Sequence, residues 1–271
     1  MNNNIIYVNF NQPIHTEELK ANRRKLRTTS QIAIPQESVE LETYTRHDND
    51  PIKDTSTLKR ISDYLIRNGR YRDNMLFILG INFGLRVSDL RELKFAHLLN
   101  TDLTFKDSFP IIEQKTKNTR KKKVNRYVTI NSAVMDAAEL YLEHHSKNLN
   151  DYLFVGENSN RSKNLDTPLT RRCIYNIITN IGKELNLTEK LGTHSLRRTF
   201  GYHQMAMSGF SNDKLLLLQE MFGHSSSTIT LRYIGLTQDL ILRECQKLNL
   251  GTDYSYVVNS EVKSSYSTIL A

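Results

Sequence analysis

The chain has 271 residues, 38% of them hydrophobic, which suffices for one large or two small domains with a sizeable core. Net charge is +8 and the pI is near 9.3, a surplus that either attracts a polyanion, nucleic acid first, or only keeps a basic surface soluble. No apolar run approaches the roughly 18–20 residues that span a bilayer, the first residues lack a secretory leader pattern, and Cys173 and Cys245 make neither a disulfide framework nor a zinc site, so a reducing cytosol is the simplest setting.

Residues 1–54 read as an extended arm with weak apolar periodicity. Its cluster Lys20, Arg23, Arg24, Lys25 and Arg27 is either a short helix tracking a phosphate backbone or a solvated charge run. From Thr55 the period becomes helical: Asp54 or Thr55 caps the start, Leu58, Ile61 and Leu65 share a face, and Gly69 stops it. A second helix is expected from about Tyr71 to Phe83, broken at Gly84. Leu90 and Leu93 then pack inward on a short helix, with Arg86 at its mouth and Asp89 three residues on, within reach of the guanidinium.

Residues 109–130 change period. Phe109 to Glu113 and the run Tyr127, Val128, Ile130 are two short strand-forming stretches around a long basic tip, which predicts a β-hairpin. Seven of the twelve residues from Lys115 to Arg126 are Lys or Arg: Lys115, Lys117, Arg120, Lys121, Lys122, Lys123 and Arg126. Like charges packed so closely need open solvent or a polyanion, and a hairpin carrying them onto a DNA backbone is the sharper reading.

Ser132 is expected to cap a helix running to about Ser146, ending on His144 and His145 as structural residues at the negative end of the dipole. Thr170 caps another through Ile174, Ile177, Ile178, Ile181 and Leu185, whose first turn carries Arg171 and Arg172 against the positive end of the dipole; a phosphate nearby would relieve that repulsion. His194 and Arg197, three residues apart, share one face of the next helix, with Leu196, Phe200, Met205 and Met207 toward the core. Leu215 to Leu218 and Met221 predict a strongly buried helix that ends at Gly223-His224. Tyr233 follows on a short helix, and a further helix is expected from Thr237 to about Leu250.

His194-x-x-Arg197, Gly223-His224 and Tyr233 resemble the C-terminal signature of the tyrosine recombinase (phage integrase) family. Gly84-Leu85-Arg86, followed by Asp89, resembles that family's first arginine box, and Lys115 matches its hairpin lysine, with Lys117 as a second candidate. The resemblance covers residues 55 to 245 in order. It implies a mainly α fold with a small antiparallel β-sheet, the DNA breaking-rejoining catalytic domain, over residues 55–250, with 1–54 as a basic arm and 251–271 as a tail.

The chemistry implied is cleavage and rejoining of double-stranded DNA through a 3′-phosphotyrosine at Tyr233. Storing the bond energy in that ester lets rejoining proceed without ATP. Arg86 and Arg197 clamp the non-bridging oxygens, which a guanidinium fork suits better than an ammonium. Lys115 is the general acid for the 5′-oxygen. His194 either accepts the Tyr233 proton or bonds a phosphate oxygen, His224 donates to the phosphate, and Asp89 holds Arg86 in place. Lys117, Arg120, Lys121, Lys122, Lys123, Arg126, Arg171 and Arg172 are expected on the DNA. No metal and no other cofactor is required, since two arginines and a lysine supply the charge that Mg²⁺ supplies elsewhere.

The family pattern also implies self-association on DNA, as a tetrameric synapse, through the C-terminal helix, with no membrane partner and a cytoplasmic, nucleoid-associated setting in a bacterium or phage. The chain departs from it at the N-terminus, where the residues before Thr55 do not read as a helical core-binding domain. Two other activities share this residue set: type IB topoisomerase-like relaxation, and non-catalytic occupation of sites that regulates a full-length recombinase.

Overall fold

A computed structural model of the protein describes residues 49–113, 126–156 and 167–236. A boundary between Gly235 and Leu236 separates the unit treated below from the C-terminal residues. Among the described residues the elements run α1 (Thr55–Arg67), α2 (Tyr71–Phe83), α3 (Val87–Leu90), α4 (Phe95–Leu98), β1 (Ser108–Ile111), β2 (Arg126–Thr129), α5 (Ser132–His144), α6 (Arg171–Glu184), α7 (Thr193–Met207), α8 (Asn212–Phe222) and α9 (Ser227–Tyr233). Among the described residues the fold is mainly helical with one two-stranded antiparallel sheet, as the sequence predicts.

The middle of this unit is α2. Its Met75, Leu76, Phe77, Leu79 and Phe83 point in all directions and are all buried, as expected of a helix enclosed by others. It packs against α1, α5 and α7. The approach to α7 is close because residue 80 is glycine: a Cβ there would stand 2.5 Å from Leu196 Cδ1. Gly84 then ends α2 in the left-handed conformation, φ 57°, which a residue without Cβ adopts at no steric cost. The chain thereby turns to present Arg86 as the residue that precedes α3.

The helix starts have local causes. The Asp54 carboxylate accepts from the Ser56 and Thr57 amides at 3.0 and 2.9 Å, and Thr170 Oγ1 accepts from the Cys173 amide at 3.1 Å. α5 is capped by Asn131 rather than Ser132, because the Asn131 side chain reaches the Val134 amide at 3.1 Å and Ser132 is already helical. His144 and His145 fill structural roles: each Nδ1 lies within 3.1 Å of a carbonyl four residues back, and their rings stack on Tyr71 and Tyr141.

The two strands pair in the register Ser108↔Thr129 to Ile111↔Arg126. Phe109 and Val128 face the core together while Pro110 and Tyr127 face out. Residues 114–125, and with them Lys115, Lys117, Arg120, Lys121, Lys122 and Lys123, lie outside the described residues, as do the arm before Asn49 and the helix expected from Thr237.

Two core expectations are corrected. In α8 only Leu215, Leu218 and Phe222 are buried, while Leu216 and Leu217 are 60% and 51% exposed. Four consecutive leucines cover more than one full turn of 3.6 residues, so a helix with one face on the core must leave some of them outside. Met207 is likewise 68% exposed, at the last turn of α7, whereas Met205 is buried.

Candidate active site

Four chain segments meet where α2 ends. Arg86 comes from the turn before α3, His194 and Arg197 from the first turns of α7, His224 from the residue after Gly223, and Tyr233 from the end of α9. Gly223, at φ 64°, closes α8, and the His224 amide donates back to the Gln219 carbonyl at 3.0 Å. That end of α8 is an anchor. The Phe222 carbonyl accepts from Arg86 Nη2 at 2.9 Å and from Arg197 Nη2 at 3.3 Å, which places two guanidiniums at the negative end of a helix dipole.

Arg197 is almost fully buried, at 3% exposed. Its Nη1 donates to the Gly84 carbonyl at 2.7 Å and its guanidinium lies 4.4 Å from the centre of the Phe222 ring. Burial, together with the Arg86 charge, pulls its pKa down to about 10, against the opposing pull of Tyr233 and Glu113; it stays protonated at neutral pH. Arg86, Arg171, His194 and Arg197, with Ser88 and Thr193, line a cleft of about 150 Å³. Arg171 is exposed in the first turn of α6, so the cation that opposes its own helix dipole borders the same cleft as the two buried-side arginines. Arg172 lies beside it, 5.3 Å from the centre of the Tyr175 ring.

The Tyr233 hydroxyl stands 3.2 Å from His194 Nδ1. Burial pushes the phenol pKa above 10.0, against the Arg197, Arg198 and Arg86 charges that pull it down. Partial desolvation of the His194 ring, joined by the Arg197, Arg198 and Arg86 charges, holds its pKa below 6.5, so the imidazole is neutral at pH 7. His224 packs edge-on against Tyr233, with ring centres 5.0 Å apart, and its Nδ1 lies 3.1 Å from the buried Thr230 hydroxyl. Thus five of the six expected catalytic residues come together; the sixth, Lys115, lies outside the described residues.

Four further residues, Glu113, Arg126, Arg198 and Thr230, surround these side chains. Glu113 pairs with Arg86 and Arg126. Arg126, which the charge count grouped with the hairpin tip, is turned inward instead: it holds Glu113 at 2.9 Å and the Phe83 carbonyl at 2.8 Å. Arg198 donates to the Tyr233 and Asn49 carbonyls and lies 5.4 Å from the centre of the Tyr233 ring. Thr230 orients His224. Asp89 is buried in α3, three residues beyond Arg86. Residues 49–52, read from sequence as part of a loose arm, lie across α7: the Ile52 amide donates to Thr199 Oγ1 at 2.9 Å, the Ile52 carbonyl pairs with His203 Nε2 at 3.0 Å, and Ile52 is fully buried. Among the described residues no group of His, Cys, Asp and Glu side chains is arranged to hold a metal ion, and no helix is long and apolar enough to cross a membrane.

Residues 53–239 match the sequence model of the phage integrase family. The chain belongs to that family. It is 31% identical over 191 residues to the Probable integrase/recombinase YoeC of Bacillus subtilis (strain 168), covering 70% of this chain and 91% of that protein. It is 27% identical over 179 residues to the Tyrosine recombinase XerA of Pyrococcus horikoshii, covering 66% of this chain and 55% of the relative, so it spans little more than half of that protein's length. The fold is that of the XerA recombinase crystal structure, with a TM-score of 0.52 at 19% identity over 76% of this chain and 68% of that one. It is also that of XerH site-specific recombinase, whose structure is bound to a palindromic difH substrate, with a TM-score of 0.50 at 18% identity over 73% and 52%.

Proposed function

We propose that this phage integrase family member is a site-specific recombinase that cleaves and rejoins double-stranded DNA through a 3′-phosphotyrosine on Tyr233. The observation that carries the reading is the Tyr233 hydroxyl 3.2 Å from a neutral imidazole, beside a cleft lined by two arginines held from behind by backbone carbonyls.

The scissile phosphate sits in that cleft. Arg86 and Arg197 neutralise its non-bridging oxygens, where charge builds as the fifth oxygen approaches phosphorus; their side chains are already fixed, so little reorganisation is needed at the moment of reaction. Arg171 extends the positive wall toward the neighbouring backbone. The raised Tyr233 pKa keeps the phenol protonated at pH 7, so attack requires an acceptor for its proton. His194, within hydrogen-bond reach and depressed below 6.5, is that acceptor. His224 is steered by Thr230 to donate a hydrogen bond to the phosphate. Lys115 protonates the departing 5′-oxygen. The charge needed at phosphorus comes from these side chains.

Double-stranded DNA is the partner, with Lys117, Arg120, Lys121, Lys122, Lys123, Arg171 and Arg172 following its backbone, and copies of the chain associate on it as a tetramer through the C-terminal helix. The protein serves a mobile element. The test is to incubate it with DNA from beside its own gene. The reading expects a covalent protein–DNA complex with a free 5′-hydroxyl and strand exchange between two sites. Relaxation of supercoiled plasmid without exchange, or site occupancy with no covalent complex at any DNA, overturns it.

A further inference from the structure

Glu113 follows β1, two residues before Lys115, and is buried at 8% exposed. Three guanidiniums converge on its carboxylate. Oε2 accepts from Arg86 Nη1, Oε1 accepts from Arg126 Nη1 at 2.9 Å, and Arg197 Nη1 stands 3.7 Å from Oε1. Burial alone pushes the carboxyl pKa up, but the Arg197, Arg86 and Arg126 charges outweigh it and hold it below 4.5, so the group is ionised at neutral pH.

A buried carboxylate is costly to desolvate and is retained where it has cations to hold. Here the need is plain. Arg86 and Arg197 converge on one carbonyl, that of Phe222, and two like charges so placed repel unless a counter-charge lies between or behind them. Glu113 does not line the cleft that Arg86, Arg171, His194 and Arg197 enclose. It therefore stands behind the guanidiniums, not in the space a phosphate would take. Arg126, pinned to the Phe83 carbonyl at 2.8 Å, steadies it from the far side.

We infer that Glu113 is a positioning residue: its carboxylate fixes the spacing and orientation of the Arg86 and Arg197 guanidiniums from behind, leaving their other N–H groups for a phosphate in the cleft. The inference rests on the reading of those arginines as phosphate ligands.

The experiment uses a nicked duplex on which the wild-type protein forms its covalent complex. It compares wild type, Glu113→Gln, Arg86→Ala and the double variant for DNA affinity, single-turnover cleavage and thermal midpoint. Glu113→Gln is expected to bind DNA as tightly as wild type or more tightly, since it loses a negative charge, and to cleave roughly ten- to a hundredfold more slowly, the size of effect that outer supports of a site typically have. In the Arg86→Ala background the same substitution is expected to cost less than about threefold, because residues acting through a shared partner are non-additive. A merely structural role would lower binding, cleavage and thermal midpoint together. An unchanged rate, a faster rate (the mark of a carboxylate competing with the phosphate), or losses that multiply in the double variant overturns the inference. Should Glu113→Gln not fold, Glu113→Asp is read the same way: it keeps the charge but withdraws it by one methylene, and slower cleavage with unchanged binding supports the role while an unchanged rate overturns it. Arg86→Ala protein that cleaves like wild type overturns instead the phosphate-ligand reading itself.

Discussion

The Tyr233 hydroxyl and His194 Nδ1 stand 3.2 Å apart across 39 residues of chain, with their rings edge to face. One is at the end of α9 and the other in the first turn of α7, so the pair exists only when both helices are docked. A phenol raised above 10.0 faces an imidazole lowered below 6.5, which leaves the proton on the tyrosine and the acceptor open.

That arrangement predicts a pH profile. Cleavage falls on the acid side as His194 becomes protonated, with the midpoint below pH 6.5 because its folded pKa is depressed. Arg198 is one of the charges that depress it, after desolvation and Arg197. Arg198→Ala is therefore expected to move the acid limb to higher pH. Arg198 also holds the Tyr233 and Asn49 carbonyls, so the maximal rate falls too, but the position of the limb is independent of that loss. Single-turnover cleavage between pH 5 and 8 reads both.

Stability has its own pH dependence. His97 and His203 are lowered by burial, and His194 by desolvation with its arginine neighbours. Each binds its proton more weakly in the folded protein than in the unfolded chain. Between 6.5 and the folded values the unfolded chain takes up more protons, so stability is fully present above pH 6.5 and is lost as pH falls through the folded pKa values. Urea midpoints measured at pH 7.5 and 5.5 are expected to decrease.

Thr230 is fully buried and its hydroxyl lies 3.1 Å from His224 Nδ1. Thr230→Val keeps the shape and deletes the hydroxyl. The loss of one such hydrogen bond, about 1 kcal/mol, corresponds to a roughly five- to tenfold slower cleavage step with DNA affinity unchanged, measured on a nicked duplex.

Gly80→Ala puts a methyl carbon 2.5 Å from Leu196 Cδ1 and 3.1 Å from its Cβ. Leu196 lies between His194 and Arg197 on α7, so the clash pushes on the helix that carries both. Overpacking of this kind costs about 1–3 kcal/mol, and a lower thermal midpoint by calorimetry is expected together with slower cleavage.

Much of this fold was legible in local pattern. Ile61 and Leu65 in α1, and Ile174, Ile178 and Ile181 in α6, recur at helical spacing and are buried as that spacing requires. Gly84 and Gly223 end their helices where the sequence places the breaks. The run Leu215 to Leu218 misled, because a continuous apolar stretch has no face of its own. The residues proposed as catalytic were picked out through family motifs, not through composition. Glu113 was not: its partner Arg86 is 27 residues away, and a long-range ion cluster leaves no local spacing to find. Arg198 and Thr230 were missed for a related reason, since each acts on a residue that only tertiary packing brings near.

The central claim is that Tyr233 is the nucleophile, and a nicked DNA duplex that traps the cleaved state tests it most directly. Wild-type protein is expected to give an SDS-resistant protein–DNA complex, and Tyr233→Phe protein to bind the same duplex with similar affinity and give none. An SDS-resistant complex formed by Tyr233→Phe would contradict the assignment.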